Sequence, residues 1–133
     1  MSEDTPAFVM PKRVAFRDRL QDDRKSLTHH FCITDRDGIA HDGYLTVGLY
    51  EDGRPGELFI KLGKVGSEGA AWDWGAKMAS AALQYGAPLE NLCKMMIHTQ
   101  YDPCGNTTNK DIPRCSSVED YAARYLLGKF GAK

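Results

Sequence analysis

The residues best suited to chemistry are two cysteines and a histidine. Cys104 and Cys115 flank the segment YDPCGNTTNKDIPRC, and His98 stands just ahead of it. Thiolates and imidazoles are zinc ligands, but a structural zinc takes four, and this loop offers two thiols without a CxxC pair. Zinc held by Cys104, Cys115 and His98 is one reading; reduced cysteines packed as small hydrophobes is the other. Cys115 also stands just before a helix start, the local setting that can activate a thiol as a nucleophile.

A second group lies in KVGSEG, Lys64 to Gly69. Unsatisfied backbone N–H groups at a helix start attract anions, and Lys64 and Ser67 add a charge and a hydroxyl. The GxxxxGK[ST] phosphate loop is absent. Arg24 and Lys25 close a charge-dense segment, Pro11 to Ser26, read either as a solvated face or as a contact for phosphate or a partner. Together Lys64, Gly66, Ser67, Arg24 and Lys25 are the expected ligand-binding residues. Glu51, Asp52 and Glu57 could pair for acid–base work, but exposed hairpin tips seldom shift a carboxylate far enough. DRDGIAHDG lacks the closing glutamate of a calcium loop and reads as a turn. No catalytic residue is assigned.

The elements that must position these groups are legible from periodicity. In THHFCIT, His29, Phe31 and Ile33 alternate with His30, Cys32 and Thr34, the signature of a strand. GYLTVGLY and ELFIKL repeat that alternation through Leu45, Val47 and Leu49, then Leu58, Ile60 and Leu62. The intervening EDGRPGE predicts an antiparallel hairpin, with Gly53 and Gly56 taking positive φ. Beyond Ser67 the period becomes helical, with an expected apolar face of Ala71, Trp74, Met78, Ala81, Ala82 and Tyr85. Gly86 stops that helix and Pro88 starts the next, whose stripe is Leu89, Leu92, Cys93, Met96 and Ile97. Tyr101 to Cys115 reads as a loop. Ser116 and Glu119 form a capping box for a last helix with the face Val118, Tyr121, Ala122, Tyr125 and Leu126.

The expected fold is α+β: a small antiparallel β-meander covered by about three helices, behind a mobile arm at residues 1–11, with residues 12–133 as a single domain. Length and composition agree, with 133 residues, 42% hydrophobic and 26% charged. A net charge of -1 gives no general attraction to nucleic acid or an anionic membrane. No apolar run is long enough to span a bilayer, and the acidic MSEDTPAF start is unlike a signal peptide. A cytoplasmic location is expected. Trp72 and Trp74 point to different sides of their helix, which favours a homo-oligomer.

The segments RLQDDRKSLTHHF, GYLTVGLYEDGRPGELFIKLGKVGS, LQYGAPLE and CSSVEDYAARYL resemble the C-terminal TSCPD-type region of adenosylcobalamin-dependent (class II) ribonucleotide reductases. The similarity runs from about Arg19 to Phe130. It implies a link to deoxyribonucleotide synthesis. In the resembled enzymes the radical chemistry and cobalamin belong to a large upstream barrel, and nothing here matches its catalytic residues. The chain also stops at Lys133 without the cysteine-rich ending those enzymes often carry. Pro103-Cys104-Gly105 stands where the family has Pro-Ser-Gly, and Gln100 and Leu20-Gln21 depart too. The expectation is a stand-alone, non-catalytic domain, of the kind a phage could encode, that binds a partner reductase or a nucleotide-like small molecule. The alternatives are a split reductase subunit, or a metal or iron–sulfur protein, since the order of elements distantly resembles iron–sulfur scaffolds. No cofactor is expected unless the cysteines hold zinc.

Overall fold

The computed structural model of the chain describes residues 16–62 and 67–131. Three long strands, β1 (Ser26–Thr34), β2 (Ala40–Leu49) and β3 (Pro55–Leu62), follow the predicted alternation. Helix α1 (Ser67–Gln84) and helix α2 (Leu89–Met96) come next, then two short strands, β4 (Gly105–Thr107) and β5 (Arg114–Cys115), and finally α3 (Val118–Phe130). The strands form one antiparallel sheet in the order β3-β2-β1-β4-β5. The segment Tyr101–Cys115, expected to be a loop, thus extends the sheet by two strands beside β1. Each is too short for alternation to show in sequence. The expected arm, residues 1–11, lies outside the described residues.

The alternating apolar set faces the helices. Phe31, Ile33, Leu45, Val47 and Leu58 are buried with Cys93 of α2 and with Val118, Tyr121, Ala122, Tyr125 and Leu126 of α3, the stripe expected for that helix. The cap of α3 sits one residue later than predicted. Ser117 is the N-cap, and its hydroxyl accepts from the Asp120 amide at 2.9 Å. The hairpin between β2 and β3 turns at Gly53, φ 88°. Gly56 does not share that role. It is buried in β3, where a Cβ would lie 2.6 Å from the Tyr50 ring and 2.8 Å from Leu20.

Helix α1 departs most from expectation. The large residues of its predicted apolar face are turned outward, with Trp74 65% exposed and Met78 and Tyr85 half-exposed, while Ala81 and Ala82 are half-buried. Ala76, Ala79, Ser80 and Gln84 are buried instead. The reason is that α1 lies along β3, the edge of the sheet. Ser80 Oγ accepts from the Leu58 amide at 2.8 Å and reaches the Leu58 carbonyl at 3.1 Å. Gln84 Nε2 donates to the Gly56 carbonyl at 2.9 Å. One i,i+4 step on a helix rises about 6 Å, close to the ~6.7 Å of two strand residues, so Ser80 and Gln84 meet successive outward-facing groups of β3. Small and polar residues satisfy an edge that would otherwise present open donors and acceptors.

The basic segment ahead of β1 is an extended strap. Leu20 is buried, Arg17 Nε donates to Gln84 Oε1 at 2.7 Å, and Gln21 Nε2 donates to the Leu49 carbonyl. At the other side of the sheet, Gly105 has φ 147°, and a Cβ there would lie 2.0 Å from the Thr34 carbonyl oxygen. Gly105→Ala must therefore push β4 from β1. A loss of about 2–3 kcal/mol in unfolding free energy is expected, measurable by urea denaturation.

Candidate docking groove

The residues singled out in the sequence do not converge on one place. Arg24 Nε pairs with Glu57 Oε1 at 3.3 Å, which ties the strap to β3. Lys25 contributes its carbonyl, which accepts from the Leu49 amide. Lys64 and Gly66 lie outside the described residues, and Ser67 enters only as the first residue of α1. Asp52 is engaged by its own turn. The Arg54 amide and guanidinium hold its carboxyl below the ordinary value, which removes it from proton transfer near neutral pH.

Cys104 and Cys115 are brought close by the β4–β5 pairing, in which Gly105 stands opposite Cys115. His98 belongs to a different cluster. Its backbone, at φ 66°, donates to Asp120 Oδ1 at 2.6 Å, and its Nδ1 is 3.3 Å from Arg124 Nη2. Among the described residues, no three His, Cys, Asp or Glu side chains form a group able to hold a metal ion. Burial pushes the thiols of Cys93 and Cys115 up to about 11, so both are neutral thiols at physiological pH. Cys104 Sγ lies 3.7 Å from Asp102 Oδ1.

Two features that the sequence did not single out dominate the surface around α2 and α3. The first is a groove of about 1010 Å³ between α1, α2 and β3. Ile60, Ala82 and Leu92 line it, with Met78, Met95 and Tyr101 at its margin. Met95 is 80% and Tyr101 66% exposed, a large apolar outlay for a water-facing surface. Helix α1 supplies the small residues Ala76 and Ala79 to the groove's wall, together with the longer Met78. Most of the side chains lining this groove are apolar, and its character is apolar contact.

The second is the Asp120 cluster that fixes the segment between α2 and α3. Burial by itself would raise this carboxyl. The amides of His98 and Ser116 and the Arg124 guanidinium outweigh burial and hold it below the usual carboxylate value. Tyr101, whose amide donates to the Ser116 carbonyl, is thereby set at the groove's margin. An acid in the first turn of α3 was the available sequence signal.

Comparison with known proteins places this architecture. The TSCPD domain pattern matches residues 11–127. The chain is 50% identical over 111 residues, 83% of its length, to a vitamin B12-dependent ribonucleotide reductase of Rhodopirellula baltica, of which it spans 10%. It is 35% identical over 115 residues to a reductase of the same name from Streptomyces avermitilis, covering 86% of this chain and 11% of that one. A third, from Bradyrhizobium diazoefficiens, is 33% identical over 112 residues, 83% of this chain and 8% of the relative. The chain thus spans about a tenth of the length of these curated relatives. No solved structure matches. Among the described residues, no helix is long and apolar enough to cross a membrane.

Proposed function

We propose, from the premise that this chain belongs to the TSCPD domain family, that it is a non-catalytic binding domain whose apolar groove docks onto a vitamin B12-dependent ribonucleotide reductase. The groove bordered by Met78, Met95 and Tyr101 is the observation that carries this reading. In the relatives, the matching region is about a tenth of a much longer chain, so its surface has the remaining nine-tenths of a reductase as its neighbour. Exposed methionines suit such a contact, because their unbranched thioether side chains adapt to an apolar partner surface. Docking serves deoxyribonucleotide synthesis in either of two ways, as a regulator or as a subunit that completes a split enzyme. The reductase's turnover with and without the chain separates them.

Sedimentation of the chain mixed with a purified vitamin B12-dependent reductase tests the docking. A complex is expected, and Met95→Asp, which places a charge in the groove, should weaken it by about 2 kcal/mol, roughly thirtyfold. Met95 is largely exposed, so the variant should fold normally. No complex, or a complex indifferent to Met95→Asp, overturns the reading. Self-association that Met95→Asp abolishes, without any reductase binding, would assign the groove to a homo-oligomer instead.

A further inference from the structure

A second cleft, sharing no lining residue with the apolar groove, opens between β1, the β4–β5 connection and the last turns of α3. Its volume is about 970 Å³, the upper end of what small-molecule sites usually enclose. We propose that this cleft binds a phosphate-bearing small molecule.

Its charge is one-sided. Lys110, Arg114, Arg124 and Lys129 line it, against one acid, Asp111. Arg124 is committed to Asp120, at 3.1 Å from both carboxylate oxygens. Among the described residues, Lys110 and Arg114 make no ion pair, and the Lys129 ammonium sits 5.9 Å over the Tyr125 ring. Three cations around one concavity repel one another, and a multiply charged anion is the ligand that turns this repulsion into attraction. They come from separate elements, Lys110 from the β4–β5 connection, Arg114 from the start of β5 and Lys129 from the end of α3, so an anion between them would be held from two sides.

The inner wall is built and polar. The Asn109 side-chain amide donates to the Tyr121 hydroxyl oxygen at 3.0 Å, and that hydroxyl lies 2.7 Å from His29 Nε2. Tyr121 is buried and His29 stacks on Tyr125 with ring centroids 4.1 Å apart. The Tyr121 hydroxyl thus joins Asn109 and His29 into one hydrogen-bonded set along the cleft. Burial, and after it Lys129 and His30, push His29 below its ordinary value, as expected where the local potential is positive. A polar cleft carrying three cations is the arrangement that phosphate oxygens, which only accept, can satisfy.

The inference does not rest on the docking reading. Calorimetric titration of the full chain at low ionic strength, with pyrophosphate, ATP and adenosine in separate arms, tests it. Saturable binding of pyrophosphate and ATP is expected, weakening as salt is added. The triple variant Lys110→Ala/Arg114→Ala/Lys129→Ala should lose about tenfold or more in affinity while keeping its circular dichroism. Equal affinity for pyrophosphate and ATP identifies phosphate alone as the recognised group. Tighter ATP binding together with measurable adenosine binding identifies a nucleotide. Absence of saturable binding, or unchanged affinity in the triple variant, overturns the proposal. So does loss of binding in Lys64→Ala with the triple variant unaffected, which would move the anion to the helix start that the sequence suggested.

Discussion

Replacing Asp120 with alanine should lower the unfolding free energy by about 4 kcal/mol, the largest single-site effect expected in this chain. The carboxylate is fully buried and accepts from the His98 amide at 2.6 Å, the Ser116 amide at 3.0 Å and Arg124 Nε at 3.1 Å. Removing it leaves two backbone donors and a guanidinium without their acceptor. An orphaned donor shielded from water costs more than the bond's net worth, and that applies to the two amides rather than to the Arg124 guanidinium, which is 34% exposed. Urea denaturation measures the deficit. Asp120→Asn should lose less, since one carbonyl oxygen still accepts, though its amide then faces donors. Because His98 holds φ 66° and Tyr101 hangs from the Ser116 carbonyl, the alanine variant should also loosen the groove's margin and weaken docking.

The same residue sets an acid limit. The folded carboxyl releases its proton at lower pH than the unfolded chain, whose value is near 3.8. Its contribution is therefore complete above that value and drains away as pH falls from there toward the folded value. In Asp120→Asn this part of the acid-side loss should vanish, and a pH series of denaturation midpoints would show a flatter slope below about pH 4. A slope identical to that of the wild type would mean that other carboxylates carry it.

What the sequence disclosed divides along physical lines. Strands β1, β2 and β3 were readable because each is eight residues or longer and has one buried face, which imposes a period of two. Helix α3 was readable for the matching reason, a stripe at helical spacing from Val118 to Leu126. Strands β4 and β5 were not, since three and two residues cannot display a period. The cap at Ser117 was missed by one position because Ser116 and Ser117 both precede acids at the proper distance, and only the backbone decides between them. Neither the groove nor the cationic cleft could be read at all. Met78 meets Met95, and Lys110 meets Lys129, only after the chain has folded.

Helix α1 carries the most instructive divergence, and Ser80→Ala is the experiment that isolates it. A hydrophobic count chose Trp74, Met78 and Tyr85 as the inward face, yet burial followed Ala76, Ala79, Ser80 and Gln84. Hydrophobicity was outvoted by backbone hydrogen bonding. Edge strand β3 points the Leu58 amide and carbonyl away from β2, and an apolar helix face there would bury both unpaired. Ser80 Oγ meets the amide at 2.8 Å, and its single hydrogen is divided between the carbonyls of Ala76, at 2.8 Å, and Leu58, at 3.1 Å. The Ser80→Ala variant keeps the volume and strips the hydroxyl, so it should cost about 2 kcal/mol from the orphaned Leu58 groups. Hydrogen exchange at the Leu58 amide is the discriminating readout. It should be slow in the wild type and accelerate in the variant well beyond the change at Leu45 and Val47, whose strand is paired on both sides. Uniform acceleration across the sheet would instead mean that Ser80 contributes to global stability without guarding the edge. Local acceleration would tie the groove to the same contact. The pairing that turns Ser80 and Gln84 toward β3 turns Met78 outward, and the exposed apolar surface of the groove follows from the polar closure of the sheet.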